Sequence, residues 1–278
     1  MIVIIGATGN VGRPLVHTLA DNGCAVTAMS RIDPGGLPAG AVHFSADPTE
    51  PESLRPGFSG AQAVYLLLPD GGNRLSPRGI VEAMVAAGVR RVVLQSSQAA
   101  GTRPELPAYD GIREFERAVQ DSAVDWTILR PGGFSSNVLQ WAAPIRARRA
   151  VVAPFADVGL PIVDPVDIAA MAAATLTSDG HAGSIYSVTG PAAITPRQQV
   201  RAIGDALGEP VTFAEQSRAE ARTAMVQFMP EQIADSTLAI IGTPTPEEQR
   251  PAPDLERVLG RPAASFDSWV AGNLQAFR

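Results

Sequence analysis

The sequence predicts an α/β fold in which a doubly wound parallel sheet is joined to a smaller C-terminal α/β lobe. Short apolar runs alternate with amphipathic stretches over the first half of the chain, and this alternation ends near residue 135. Near-continuous apolar strands separated by helices indicate a parallel sheet that is covered on both faces. A length of 278 residues, 45% of them hydrophobic, suits one such sheet with an added lobe.

The expected elements follow from the period of the apolar residues and from their Gly and Pro boundaries. Six strands are expected in the first half: Ile2–Ile5, Ala25–Met29, Val42–Ser45, Ala63–Leu68, Val92–Gln95 and Trp126–Leu129. Helices are expected at Val11–Asp21, at Ser76–Ala87 and from near Tyr109 to Gln120. Further along we expect a helix from Asp164 to about Thr177, a strand at Ser184–Val188, a helix from Thr195 to Gly208, two helices within 215–241, a proline-rich loop at 244–253 and a helix at Phe266–Phe277.

These elements predict two parts. The first is a sheet domain at residues 1–135, to which segments near 151–190 return, and the second is a mainly helical lobe at 136–278.

Composition excludes several classes of function. The net charge of −6 argues against nucleic acid or an anionic membrane surface as a partner. All 22 basic residues are arginine, so no lysine can form a Schiff base or act as a base. Cys24 is the single cysteine, and the three histidines, His17, His43 and His181, lie far apart. A disulfide framework and a metal site are therefore not expected.

The N-terminus gives no sign of a targeting segment. Met1 is followed at once by the apolar run Ile2–Ile5, without a basic region or a cleavage site. The longest apolar run, Ile168–Leu176, is too short to span a bilayer. We therefore expect a cytoplasmic protein that is not bound to a membrane.

A glycine-rich loop follows the first strand and opens the first helix. Its three glycines, Gly6, Gly9 and Gly12, have the spacing G-x-x-G-x-x-G. The first allows a tight turn, the second lets a ligand approach the backbone, and the third lets the helix pack closely on the sheet. The amides at the start of the helix can then bind a pyrophosphate, with hydrogen bonds added by Thr8 and Asn10. The loop therefore predicts a bound nicotinamide dinucleotide.

The end of the second strand predicts which dinucleotide is preferred. An acidic residue there binds the ribose 2′-hydroxyl of NAD, but this chain has Ser30 and Arg31, which suit the 2′-phosphate of NADP(H). Asp33 could still meet a ribose if its loop folds back, so NADP(H) is preferred over NAD(H) without NAD(H) being excluded. Asp47, after the third strand, could face the adenine or serve as a capping, solvated residue.

Several segments together resemble the NmrA-like family of atypical short-chain dehydrogenase/reductases. They are GATGNVG from Gly6, Ser30-Arg31, TILRPGGF at 127–134 followed by Asn137, and VDPVDIA at 163–169. The resemblance covers nearly the whole chain. It implies a Rossmann-type NAD(P)-binding domain with a small substrate lobe, and a family that contains both reductases and non-catalytic sensors of NADP.

The resemblance also assigns residues to the cofactor. It implies that the pyrophosphate is held by the glycine loop, the 2′-phosphate by Arg31, the adenosine side by the residues after strand four, and the nicotinamide side by residues after strands five and six. These residues are Gly6, Thr8, Gly9, Asn10, Val11 and Gly12, then Leu68 and Pro69, then Ser96 and Ser97, and finally Gly133, Phe134 and Asn137.

The catalytic residues match the family less well. Short-chain reductases commonly use a Tyr-x-x-x-Lys pair, and the position at which NmrA-like reductases often carry a lysine falls here on Ile112. Tyr109 and Arg113 have the i, i+4 spacing that places both on one helix face. Arg113 could hold the ribose and favour the tyrosinate, or it could pair with a glutamate at 114 or 116. Tyr109 is either the proton donor or a tyrosine with an exposed hydroxyl, and Ser97 is the third catalytic candidate.

The sequence is compatible with two main functions. The first is an NADPH-dependent oxidoreductase that transfers hydride to a small apolar carbonyl, enone or quinone. The second is a non-enzymatic sensor of NADP that binds a protein partner; lyase or isomerase chemistry is a more remote alternative. The expected partner in the first case is a small-molecule substrate, and a second copy of the chain is a further candidate partner. Five large apolar residues of the lobe could line a substrate pocket, although each fits a packed core better: Phe134, Trp141, Phe155, Phe228 and Met229.

Overall fold

A parallel sheet forms the centre of the structure, which is a computed structural model describing residues 1–68, 72 and 75–278. Within these residues the sheet has seven strands in the order β3-β2-β1-β4-β5-β6-β8, and β7 and β9 form a separate two-stranded parallel sheet. The strands are β1 (Ile2–Ile5), β2 (Val26–Ser30), β3 (Ala41–Ser45), β4 (Ala63–Leu67), β5 (Arg91–Gln95), β6 (Asp125–Pro131), β7 (Ala150–Ala153), β8 (Ser184–Val188) and β9 (Thr212–Glu215).

Helices connect these strands and cover both faces of the large sheet. They are α1 (Gly12–Asp21), α2 (Pro51–Leu54), α3 (Pro77–Ala86), α4 (Gln98–Thr102), α5 (Asp110–Gln120), α6 (Ala142–Arg148), α7 (Pro165–Thr177), α8 (Pro196–Leu207), α9 (Arg218–Met225), α10 (Glu231–Gly242), α11 (Asp254–Leu259) and α12 (Phe266–Asn273). Short 3₁₀ turns lie at Arg55–Phe58, Pro107–Tyr109, Ser135–Trp141 and Leu274–Phe277. In the part of the chain that the structure describes, no helix has the length and apolar character needed to cross a bilayer.

Alternate residues of each buried strand supply two separate cores. In β1, Val3 and Ile5 face the core shared with α3 and α5, whereas Ile2 and Ile4 face the core shared with α1 and α7. Because both faces are covered, the middle residues of the central strands β1, β4 and β5 are apolar, which is why these strands read as apolar runs in the sequence.

The C-terminal lobe has its own core. It is built by α6, β7, α8 and α12, with Ile145, Val151, Ile203 and Val270 all fully buried. The chain also returns to the large sheet, since α7 packs against α1 and β8 extends the sheet beside β6.

The expected fold class is confirmed, and most strand and helix bounds differ from the expected ones by one or two residues. The small sheet was not expected. Its strands are four residues each, and β9 (Thr212–Glu215) is largely exposed. Such short strands carry little periodic signal and form only because they pair with each other.

The turn between β1 and α1 requires glycine at two of its positions. A Cβ on Gly12 would lie 2.1 Å from the carbonyl oxygen of Gly6, and Gly6 itself has a φ of +79° that favours glycine. A Cβ on Gly9, in contrast, would meet only the Gly6 oxygen at 3.4 Å and a Leu67 methyl at 3.8 Å, which are ordinary contacts. Gly6 and Gly12 are therefore required by the fold, whereas Gly9 leaves space beside the loop.

We expect Gly12→Ala to lower the free energy of unfolding by about 1–3 kcal/mol, because helix and turn must separate to admit the new methyl group. Urea denaturation measures the change. The matched control is Gly272→Ala in α12, where an added Cβ meets nothing within 4 Å; it should be neutral or slightly stabilising. Equal stability of the two variants would show that the close contact does not constrain the turn.

Candidate active site

Two adjoining clefts lie at the carboxyl ends of the central strands. The first has a volume of about 450 Å³ and is lined by the glycine loop, the end of β2 and the segment at residues 46–49. It sits where β1 is flanked by β2 on one side and by β4 on the other, so the strand order reverses there. Ligands of open α/β sheets bind at such a switch point.

The glycine loop presents free amides to this cleft. Within the part of the chain that the structure describes, the amides of Thr8, Asn10 and Val11 donate to no protein group. Unpaired amides at the start of a helix are suited to phosphate oxygens. The side chain of Asn10 donates to Ser136 Oγ at 3.2 Å, which joins the loop to the turn that follows β6. The donor set thus fits a pyrophosphate.

At the end of β2, Arg31 is exposed and lines the first cleft. Ser30 also lines it, but the Ser30 hydroxyl donates to the Ile32 carbonyl at 2.7 Å and lies 3.1 Å from His43 Nε2. Its hydroxyl therefore helps to shape the strand end. Asp33 accepts from the Gly35 amide at 2.9 Å within its own exposed loop.

Asp47 is a cleft residue that also forms hydrogen bonds within its own turn. It lines the first cleft, and its Oδ1 accepts from both the amide and the hydroxyl of Thr49, at 2.9 and 2.8 Å. These hydrogen bonds, together with the charge of Arg31, hold the pKa of Asp47 below its ordinary value. Arg31 therefore faces the cleft beside a carboxylate that is ionised at neutral pH.

The second cleft, of about 950 Å³, meets the first at Leu67 and Leu68. Its sheet side consists of the residues that follow β5 and the start of α5, and its lobe side consists of the α9–α10 connection. None of its described lining residues is charged: Leu67, Leu68, Gln95, Ser96, Ser97, Ala108, Tyr109, Ile112, Phe228, Met229, Pro230, Gln232, Ile233 and Ser236. Pro69, assigned to the cofactor from the sequence, lies outside the described residues.

A buried charged network lies behind the second cleft. Ser96 donates to Glu116 Oε1 at 2.5 Å, and the Arg130 guanidinium donates to both carboxylate oxygens at 2.9 and 2.6 Å. Glu116 is only 5% exposed. The hydrogen bond to Glu116 raises the pKa of Arg130, so the guanidinium keeps its charge. Ser97 is the N-cap of α4, where its Oγ accepts from the Ala99 amide at 3.3 Å.

Tyr109 directly precedes the first residue of α5 and lines the second cleft. Burial raises the pKa of its hydroxyl, the Glu248 carboxylate raises it further, and Arg103 opposes this less strongly. The net pKa is above the ordinary value, so the phenol is a neutral donor at physiological pH. The charged groups acting on Tyr109 are thus Arg103 and Glu248, and the expected effect of Arg113 in favouring the tyrosinate is not found.

Arg113 instead holds the chain that leads to Tyr109. Its guanidinium donates to the carbonyls of Arg103 and Leu106, at 3.2 and 2.9 Å, and to Asp110 Oδ1 at 2.5 Å. Its ion-pair partner is therefore Asp110 and not either of the glutamates at 114 and 116, because the guanidinium reaches back toward the start of the helix.

Glu248 is a site residue that sequence reasoning missed. It is 2% exposed and joins the lobe to the loop after α4. Arg103 donates to its two oxygens at 2.9 and 2.7 Å, Thr102 donates at 2.6 Å and the Thr245 amide at 2.8 Å. Burial alone would raise the pKa of Glu248, but these hydrogen bonds outweigh burial and lower it.

The remaining predicted residues lie after β6. Gly133 and Asn137 are exposed, and the Asn137 amide donates to the Phe134 carbonyl at 3.1 Å. Phe134 packs against the core shared by α1 and α7. Of the five large apolar residues singled out in the lobe, Phe228 and Met229 line the second cleft, and Phe228 is 68% exposed. Sequence alone could not separate these two from core residues.

We expect Glu248→Gln to cost about 3–5 kcal/mol of unfolding free energy at neutral pH, because Arg103 would lose its buried counter-charge. The pKa of Glu248 is lowered in the folded state, so its contribution is present above the ordinary glutamate pKa and is lost as the pH falls through the folded value. The gap between wild type and variant should therefore narrow in acid, as measured by urea denaturation at several pH values.

Asp157→Asn is the matched control, since the Arg197–Asp157 pair is solvent-exposed and should contribute little. A Glu248→Gln variant that is no less stable than this control at pH 7 would contradict the structural role of the buried pair.

Comparisons with known proteins agree with this geometry. A family model described as NAD(P)H-binding matches residues 6–179. The chain is 37% identical to a (4-alkanoyl-5-oxo-2,5-dihydrofuran-3-yl)methyl phosphate reductase of Streptomyces griseus, over 100% of this chain and 99% of the relative. It is 30% identical to an NAD(P)H azoreductase of Xenophilus azovorans, over 100% of this chain and 99% of that one.

A solved structure shares the whole architecture. The NADPH complex of an NADPH-dependent quinone oxidoreductase from Escherichia coli superposes with a TM-score of 0.81 at 25% identity, covering 99% of each chain. The family model spans more than half of this chain and includes the glycine loop, β2 and the strands that border both clefts. The chain belongs to the NAD(P)H-binding family of Rossmann-type proteins.

Proposed function

We propose that this chain is an NADPH-dependent reductase that transfers hydride to a small, uncharged carbonyl, enone or quinone. One observation carries the proposal. The first cleft, whose loop suits a dinucleotide, is continuous at Leu67 and Leu68 with the larger second cleft, whose described lining is uncharged. A reductase needs this continuity, because the reactive end of the cofactor must meet the acceptor.

The relatives favour a reductase over a sensor. The matched proteins from Streptomyces griseus, Xenophilus azovorans and Escherichia coli are respectively a reductase, an azoreductase and a quinone oxidoreductase. The acceptors that their names give differ: a dihydrofuranone that carries a phosphate group, an azo compound and a quinone. The second cleft, whose described lining is uncharged, suits acceptors like the last two, which need no phosphate site.

The preference for NADPH rests on Arg31. Its exposed guanidinium borders the first cleft at the end of β2, where the 2′-position of the adenosine ribose would lie. The neighbouring Asp47 carboxylate attenuates the positive potential there. We therefore propose a preference for NADPH that is moderate in size, with NADH as a weaker donor.

The chain's own groups would bind the cofactor, orient the acceptor and supply a proton to the product. Bound NAD(P)H supplies the hydride. The amides of the glycine loop would hold the pyrophosphate, and Leu67 and Leu68 would separate the adenosine side from the reacting side. When hydride adds to the acceptor carbon, the π electron pair of the acceptor's double bond shifts toward the carbonyl oxygen. The Tyr109 hydroxyl would then donate the proton that completes the reduction. The Arg113 contacts would position Tyr109 by fixing the preceding turn.

Four further proposals rest mainly on the sequence. They are a division near residue 135 into a dinucleotide domain and a substrate lobe, the returning segments near 151–190, a cytoplasmic location, and a homodimer. In support of the division, the lobe has a separate core. In support of the returning segments, β8 pairs with β6 in the large sheet and α7 packs against α1.

Tyr109→Phe tests the proton donor. We expect turnover of 1,4-naphthoquinone, 2-cyclohexen-1-one or another acceptor of a quinone and enone panel to fall by about 10²–10⁴-fold, with NADPH affinity retained. Because the pKa of Tyr109 is raised, wild-type turnover should stay level from neutral pH to about pH 10, where an ordinary tyrosine ionises. Absorbance of the reduced cofactor follows both measurements.

The control for this variant is Tyr186→Phe, since the Tyr186 hydroxyl pairs with His181 and not with the cleft. If Tyr109→Phe and Tyr186→Phe turn over equally well, another group or water supplies the proton. If wild type binds NADPH tightly and reduces no acceptor of the panel, the sensor is favoured instead.

Arg31→Asp tests the cofactor preference. Removing the fork of donors and adding a negative charge beside Asp47 should weaken NADPH binding at least about tenfold relative to NADH. Fluorescence titration of both reduced cofactors measures the two dissociation constants. Arg90→Asp is the matched control, because Arg90 is exposed and borders a cleft at the opposite end of the sheet. An unchanged NADPH to NADH ratio in Arg31→Asp would refute the role of Arg31.

A further inference from the structure

Gln95 is a nearly buried polar residue in the second cleft that neither the sequence analysis nor the proposed mechanism uses. It ends β5, lies opposite Leu67 of β4 and Leu129 of β6, and is 8% exposed. Its neighbours along β5 are apolar and fully buried. A primary amide at such a position needs partners for its oxygen and for its two N–H groups.

Tyr65 determines which way this amide is turned. Tyr65 lies on β4, on the same sheet face as Gln95 and two residues from it in register, and it is fully buried. Burial raises the pKa of its hydroxyl, so the phenol keeps its proton. A buried O–H group must donate, and it donates to Gln95 Oε1. The amide oxygen therefore faces Tyr65, and Nε2 is directed away from it.

The Nε2 group has no acceptor in the described part of the chain. Among the same residues, no side-chain nitrogen or oxygen that is sealed from solvent lacks a hydrogen-bond partner. The amide N–H groups are therefore open to the second cleft, which Gln95 lines together with Ser97, Tyr109 and Phe228.

We propose that Gln95 Nε2 donates a hydrogen bond to the carbonyl oxygen of the acceptor, and that Tyr65 is the positioning residue that orients this donor. This inference rests on the proposed reductase function. The acceptor oxygen is the ligand, because Gln95 lines the second cleft, where acceptor and nicotinamide would meet, and is absent from the described lining of the first. A hydrogen bond to the cofactor carboxamide instead would show as a loss of affinity for NADPH.

The chemistry follows from charge development. Hydride adds to the acceptor carbon, one C=O or C=C electron pair shifts, and negative charge grows on the oxygen. A donor held in advance at that oxygen stabilises the charge without having to reorganise. Gln95 keeps both of its protons, and the proton that ends on the product comes from Tyr109.

The test compares Gln95→Met and Tyr65→Phe with the wild type. Met has a similar length without a hydrogen-bond donor, and Phe keeps the ring of Tyr65. We expect kcat/KM for 1,4-naphthoquinone, or for the best acceptor of the panel, to fall about 10²–10³-fold in Gln95→Met, as it does when an oxyanion donor is removed. Tyr65→Phe should lose about tenfold, because the amide remains but is no longer oriented. In both variants, the dissociation constant of NADPH should stay within about twofold of the wild-type value, because the cofactor takes no part in this hydrogen bond.

A spectroscopic readout separates a hydrogen bond from a packing effect. In the complex of wild type with NADP⁺ and the acceptor, the carbonyl stretching band should move to lower frequency. Gln95→Met should abolish this shift, and the control Gln62→Met, at the opposite end of the sheet, should leave it and the kinetics unchanged. If Gln95→Met does not fold, Tyr65→Phe alone carries the test through its loss of kcat/KM and its weakened band shift.

Different outcomes test the hydrogen bond of Gln95 and the proposed reductase function separately. If wild type reduces no acceptor, the proposed function fails. If wild type is active and both variants match it, the inference is overturned while the function stands. Loss of NADPH affinity in Gln95→Met, with no effect on the acceptor band, would also overturn it, since the amide would then serve the cofactor.

Discussion

The contact between the Gly6 carbonyl and the backbone of Gly12 is the constraint on which the rest of the structure depends. It brings the first turn of α1 against the end of β1, closer than any side chain would allow. The free amides of the loop are thereby fixed at the point where the strand order reverses. A dinucleotide bound there must extend along the carboxyl edge of the sheet, and on this edge the second cleft opens.

Buried polar groups then fix the walls of that second cleft. Glu116 ties the end of β5 to Arg130 of β6, and Glu248 ties the lobe to the loop after α4 that leads to Tyr109. The low-dielectric surroundings of these two networks strengthen their hydrogen bonds. The cleft itself is left uncharged in its described part, with a few hydroxyl and amide groups directed toward it. Such a surface selects uncharged acceptors and orients them through hydrogen bonds.

The sequence predicted those features that local chemistry determines. Apolar period and glycine spacing were sufficient for the strands of the large sheet and for the loop at Gly6, because the central strands are buried on both faces and both Gly6 and Gly12 are required by local backbone geometry. Glu248 was hidden within a proline-rich, charged segment that reads as a solvated loop. Its buried counter-charge is Arg103, which lies 145 residues earlier in the chain. The orientation of Gln95 likewise depends on the register of β4 with β5, which no pattern in either strand reveals.

The central claim is that hydride passes from the dinucleotide to an acceptor held in the second cleft. Its most direct test is isotope transfer, in which the protein reduces 2-cyclohexen-1-one, whose product keeps the transferred atom on carbon, with NADPH carrying deuterium on one or the other face of C4, and the product is analysed by mass spectrometry. We predict that the product gains one deuterium atom from one of the two stereoisomers and none from the other. Product without deuterium from either isomer would contradict direct hydride transfer and with it the account of the site.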